Sequence, residues 1–197
     1  MLDERFVIVG AIISFLGAVT YVISTLKGKT KPNRVSWFIW ALAPMIAFSA
    51  ELSKGVGIQS LLTFMVGFNP LLIFLASFVN KKAQWKLGKL DLICGSLAIL
   101  GIIIWLLLKE GNAAIFFAIL ADGLAAIPTL VKSYKFPETE NYFGFLTAVI
   151  SSGLTLLTID TWNFAHWGFP LYIFLTTIIL VMLIKFKVGL KIQKRFA

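Results

Sequence analysis

Asp122 stands at the centre of an apolar run, Ala113–Val131, with nine residues on either side. A carboxylate at such depth in a bilayer costs about 2.5–3.5 kcal/mol on an insertion scale, so it demands water, a partner or a solute. The chemistry it offers is solute hydrogen bonding or proton coupling; the plainer account is a carboxyl tied to a nearby backbone carbonyl. Asn69 sits near the middle of another apolar run, directly before Pro70. Proline lacks an N–H, which leaves the carbonyl of Val66 without its helical donor. An amide beside a freed carbonyl offers donor and acceptor to a polar solute, although it also suits an interhelical bond that glues a bundle. Trp37 and Trp40 lie three apart on one helix face. Trp40 is deep enough to stack on a sugar or heteroaromatic ring, whereas Trp37, Trp85, Trp162 and Trp167 read as interfacial belt residues. Pro44, Pro70, Pro128 and Pro170 are candidate hinges, each loosening one turn of a membrane helix. His166, the only histidine, is a candidate pH-sensitive gate at the mouth of the last run. Thr147, Ser151, Ser152, Thr176 and Thr177 read as packing hydroxyls, and Glu51 as a charge snorkelling at the outer interface.

No catalytic set accompanies these residues. Intramembrane hydrolysis needs paired aspartates, a His-Glu-x-x-His metal site or a serine–histidine pair, and one histidine with one membrane aspartate builds none of them. Neither an enzyme, a catalytic residue, a metal ligand nor a cofactor is therefore expected. A retinal Schiff base needs a lysine in the middle of the last span, but Lys185 and Lys187 fall at its end. The single cysteine, Cys94, excludes an intramolecular disulfide and a CxxC site.

The elements that must position these groups follow from composition. Of 197 residues, 59% are hydrophobic and 14% charged, against about 45–50% and about 25% in soluble domains. The chain reads as an all-α integral membrane protein. Seven apolar runs are candidate spans of about 17–25 residues: Phe6–Leu26, Val35–Ala50, Val56–Val79, Leu92–Leu108, Ala113–Val131, Tyr142–Ile159 and Ala165–Ile184. The second is short for a full crossing. The first has an acidic head (Asp3, Glu4) and is too long for a secretory signal. Net charge is +9, but the basic residues sit in short loops rather than on one folded face, which excludes nucleic acid as a partner. Alternate loops hold fifteen of the eighteen Lys and Arg, and the other side holds only Arg5, Lys54 and Lys109. Positive residues collect in the cytoplasm, so the N-terminus is expected outside and the C-terminus inside the cytoplasmic membrane.

The chain also repeats itself. The segment around Pro32, Gly28 to Phe38, lies over Ser133 to Phe143 around Pro137 at an offset of 105, pairing Lys27 with Lys132, Trp37 with Tyr142 and Gly17 with Asp122. Pro70-Leu-Leu-Ile-Phe-Leu75 matches Pro170-Leu-Tyr-Ile-Phe-Leu175 at an offset of 100, which pairs Asn69 with Phe169. Runs one to three thus pair with runs five to seven, and the fourth is an unmatched connector that keeps the two copies parallel. The expected organisation is residues 1–80 as a first three-helix repeat, 81–111 as a linker helix with its loops, 112–187 as a second repeat and 188–197 as a basic tail that anchors to anionic headgroups.

This 3+1+3 plan resembles the SWEET and PQ-loop (MtN3-saliva) transporter superfamily. Ala126-Ile-Pro128-Thr129-Leu-Val-Lys132 is similar to the family's Pro-Gln stretch with threonine in place of glutamine, and Ile23-Ser24 stands there in the first repeat. Asn69 matches in kind the asparagine that SWEET-like transporters use as a sugar ligand. Vitamin transporters of the nicotinamide riboside type share the architecture. The resemblance implies a transporter that moves a small polar solute, a sugar or similar metabolite, by rocking the two repeats around a midplane site. Asn69, Asp122 and Trp40 are the expected ligands, and a titrating Asp122 would couple transport to protons. Alternatives are a vitamin or nucleoside-type carrier of the same plan, a cation channel with Asp122 in its pore, and a non-transporting membrane sensor or scaffold. The expected partners are the solute, the lipid bilayer and, as an option, further copies in a homo-oligomer.

Overall fold

The computed structural model describes residues 2–108 and 111–196. Lys109, counted among the outer charges, and Ala197, the end of the basic tail, lie outside the described residues, as do the side chains of Lys194 and Arg195. Among the described residues, eight α-helices and two short 3₁₀ turns make up the regular structure: α1 Phe6–Leu26, α2 Arg34–Ser53, α3 Ser60–Ala76, α4 Lys89–Leu108, α5 Gly111–Lys135, α6 Tyr142–Thr158, α7 Phe164–Lys185 and α8 Val188–Phe196. The helix of the first run coincides with that run. α2 is longer than its apolar run because Asn33 caps its start, its side chain accepting from the Val35 and Ser36 N–H groups at 3.1 and 3.4 Å. It also continues past Ala50, through Glu51, to Ser53. At 20 residues it is no longer the short crossing its composition suggests. α3, by contrast, is only 17 residues, since its apolar run begins and ends in turns. Asn141 and Asn163 cap α6 and α7 in the same way as Asn33 caps α2. Gly28, at φ +70°, takes the left-handed turn that ends α1.

Among the described residues, four helices, α1, α2, α5 and α7, are long and apolar enough to cross a membrane, and α3 and α6 are shorter apolar helices. Their outward faces are apolar too: Ile12 and Leu16 on α1, Leu75 on α3 and Ile179 on α7 are exposed. A water-facing surface of that kind would aggregate. Buried faces and exposed faces being equally apolar suits a membrane protein, where lipid covers the outside.

Inside, the helices meet along small residues. A Cβ on Gly17 of α1 would lie 1.8 Å from Thr147 Oγ1 of α6, and one on Gly10 would lie 3.1 Å from Ser151 Oγ. α2 packs on α5, and Ala43 and Ala47 of α2 and Ala114, Ala118 and Ala121 of α5 are all buried in one core cluster. Close backbone approach is how helices associate where water exclusion contributes nothing. The pattern of neighbours has a regularity. α1 packs on α6 and α2 on α5; α3 is shared by α1 and α2, and α7 by α5 and α6. Exchanging α1, α2, α3 for α5, α6, α7 leaves this pattern unchanged. α4 stands apart, packed on α5 and α2, with Val35 filling the space beside Gly95.

Candidate functional site: a cavity between two helix triplets

A cavity of about 90 Å³ lies among α1, α2, α3, α5, α6 and α7; α4 contributes nothing to its lining. One water needs about 10–15 Å³ measured the same way, so several waters or a small solute fit. Three residues singled out from the sequence meet here: Asn69, Asp122 and Trp40 all line it. The Asn69 amide N–H donates to Ser14 Oγ at 2.9 Å. Asp122 Oδ2 accepts from the Tyr172 hydroxyl at 2.7 Å, and the Asp122 main-chain oxygen accepts from the Trp40 indole N–H at 3.1 Å. Trp40 therefore ties α2 to α5 as well as forming wall. The remaining oxygens, Asn69 Oδ1 and Asp122 Oδ1, are buried and have no protein partner. Pro70 and Val66, the turn with the freed carbonyl, lie in the same lining.

An aromatic cluster forms one side. The Trp37 and Trp40 rings meet edge to face at 5.1 Å, Tyr21 tilts onto Trp37 at 4.7 Å, and Phe145 stands 6.3 Å from Trp40. This corrects the belt reading of Trp37, which is only 4% exposed; the Tyr21 ring of α1 and the Phe145 ring of α6 stand against it. Trp162, in contrast, is exposed. Thr176 and Thr177 are lining residues rather than packing ones, whereas Thr147 and Ser151 do pack, against Gly17 and Gly10.

The other sequence candidates sit elsewhere. Pro44, Pro128 and Pro170 lie inside α2, α5 and α7, which run through them without a break. His166 is outside the cavity lining; its Nδ1 lies 2.7 Å from Asn163 Oδ1 at the start of α7. Glu51 does not snorkel. It is 1% exposed and accepts from the Thr63 hydroxyl at 2.9 Å, because the first turns of α3 fold over the last turns of α2.

Several residues of the site escaped the sequence reading. Tyr172 orients Asp122, and a signal for it existed: it is the one departure, Leu72 to Tyr172, within the otherwise matching Pro-Leu-x-Ile-Phe-Leu segments. Ser14, Tyr21 and Phe145 carried no signal of their own. Below the cavity, Lys132 is wholly buried rather than a loop charge, because α5 runs on to Lys135. Its ammonium donates to Glu140 Oε1 at 2.6 Å and to the Lys31 carbonyl, and lies 4.7 Å from the centre of the Trp85 ring. The Tyr21 hydroxyl donates to the other Glu140 oxygen. Tyr21 thus joins the cavity wall to a buried ion pair at one end of the bundle.

Compared with protein-family models, curated proteins and solved structures, the chain finds no match in any of the three.

Proposed function

We propose that the chain is a carrier that moves a small polar solute across a membrane, with the cavity as its midplane site. One observation carries the reading: a largely apolar cavity that holds a carboxyl and an amide oxygen without protein partners, lined by residues of both α1–α3 and α5–α7 and by none of the described residues of α4. A site at the seam of two equivalent bundles can open to either side when one bundle rocks on the other. The exchangeable neighbour pattern supports two repeats with α4 as the linker of a 3+1+3, seven-span arrangement. It also supports the likeness to the SWEET and PQ-loop architecture, as does the convergence of Asn69 with Asp122. The asymmetric loop charges favour a cytoplasmic membrane with the N-terminus outside.

The experiment is counterflow in proteoliposomes, with radiolabelled solutes from a panel of sugars, nucleosides and amines. A carrier saturates and accelerates uptake when preloaded with cold solute. Flux that rises without saturation identifies a channel, and no flux with any solute retires the transport reading.

A further inference from the structure

The two unpaired oxygens of the cavity are of one kind. Asp122 Oδ1 and Asn69 Oδ1 are both acceptors without a partner, on side chains 3% and 7% exposed. Several donors around them are already committed. The Asn69 amide bonds Ser14, the Tyr172 hydroxyl bonds Asp122, the Trp40 indole bonds the Asp122 carbonyl, and the Thr177 hydroxyl bonds the Ile173 carbonyl at 2.7 Å. The Tyr21 hydroxyl donates to Glu140. A single ring donor, the Trp37 indole N–H, is left without a partner. Buried acceptors left empty are costly, and more so when charged.

Charge points the same way. None of the lining residues is Lys, Arg or His, and buried Lys132 is committed to Glu140. Asp122 has no counter-charge in the cavity it faces. Beside it stand the faces and edges of Trp37, Trp40 and Phe145, the surface against which a desolvated cation is held. Two unpaired oxygens are too few for a dehydrated metal ion of the calcium or magnesium kind, which takes about six.

We infer that the cavity takes a small organic cation: an ammonium group donates to Asp122 Oδ1 and Asn69 Oδ1, the aromatic wall holds its apolar body, and one acceptor atom meets the Trp37 indole. This rests on the cavity being the solute site proposed above, and it replaces the neutral sugar implied by the family likeness with a charged amine. A sugar hydroxyl can donate to the same two oxygens, but it supplies no charge to balance Asp122.

The test is titration of the purified full chain in nanodiscs, read by tryptophan fluorescence, with n-butylammonium, its neutral analogue of equal heavy-atom count n-butanol, and glucose. Saturable quenching by butylammonium, at least tenfold tighter than by either neutral probe, is expected. Asp122→Asn should weaken butylammonium at least tenfold, and Asn69→Asp should tighten it. The second variant keeps the test valid if the first does not fold. Glucose binding as tightly as butylammonium, no saturable response to butylammonium, or unchanged affinity in a folded Asp122→Asn or Asn69→Asp variant overturns the inference. Butylammonium that binds, with no counterflow for any solute of the panel, retires the carrier reading and leaves this one standing. Glucose counterflow without butylammonium binding does the reverse.

Discussion

The two helix triplets, α1–α3 and α5–α7, have the same neighbours and different chemistry. At corresponding positions Gly17 faces Thr147 with no room for a side chain, while Asp122 has the space to reach Tyr172 and the cavity. Asn69 in the first triplet answers to Phe169 in the second, and Leu72 to Tyr172. Lys27 is exposed at the end of α1, whereas Lys132 is sealed inside with Glu140. The packing plan is thus repeated and the polar groups are divided. One triplet supplies the amide and the other the carboxylate with the tyrosine that orients it. Two facing carboxylates would repel each other at such close quarters; a single one leaves the cavity with one acidic group and no second acid beside it.

The strongest way to break this contrast is at the lysines. Lys132→Met leaves Glu140 buried without its counter-charge and should cost about 3–5 kcal/mol, while Lys27→Met at the matching exposed site should leave the unfolding midpoint unmoved. Adding Glu140→Gln to Lys132→Met should recover most of the loss. Equal midpoints for the two lysine variants, followed by fluorescence in detergent and urea, would make the two ends equivalent.

The next contrast is between glycines one residue apart in register. Gly17→Ala drives a methyl group into Thr147 and should destabilise by about 1–3 kcal/mol. Gly123→Ala, whose added carbon would meet nothing nearer than the Tyr172 hydroxyl at 3.7 Å, should be neutral or gain up to about 1 kcal/mol from reduced chain entropy. Thermal unfolding of both variants measures the gap, and a tolerant Gly17 would mean that α1 and α6 are not held in close contact.

Tyr172→Phe removes the donor on Asp122 and should lower stability by about 1.5 kcal/mol, whereas Leu72→Phe in the first triplet should do much less. Similar losses would deny the tyrosine its part in the asymmetry. The smallest effect is expected at His166. His166→Gln should change solute flux less than twofold between pH 5.5 and 7.5, because the ring bonds Asn163 outside the cavity; a pH dependence lost in this variant would return the histidine to a gating role.

Much of the scaffold was legible along the chain. Apolar runs located all seven long helices, since a bundle that faces lipid must be apolar on every side. The exchangeable neighbours of the two triplets have a counterpart along the chain, in loop prolines and Pro-Leu-x-Ile-Phe-Leu segments that keep their spacing. Helix ends were less legible: α2 and α5 extend into polar residues whose burial depends on neighbours far away in sequence. Glu51 and Lys132 both read as loop or interface charges, and both are inside. Their partners, Thr63 and Glu140, are ordinary polar residues until folding brings them within hydrogen-bond reach. Trp37 was misread for the same reason, since an aromatic near a helix start looks alike whether lipid or another helix covers it.

Sequence alone determined that the chain is a bundle of apolar helices, that a carboxyl group and an amide stand at mid-helix depth, and that one half echoes the other. These follow from local composition and spacing, which need no knowledge of contacts. Only the tertiary structure decided which atoms of Asp122 and Asn69 are spent and which are left open, and that Tyr21 links their cavity to a buried ion pair. A hydrogen bond depends on distance and direction to a group that may be fifty or a hundred residues away, and neither is written in either residue's own neighbourhood.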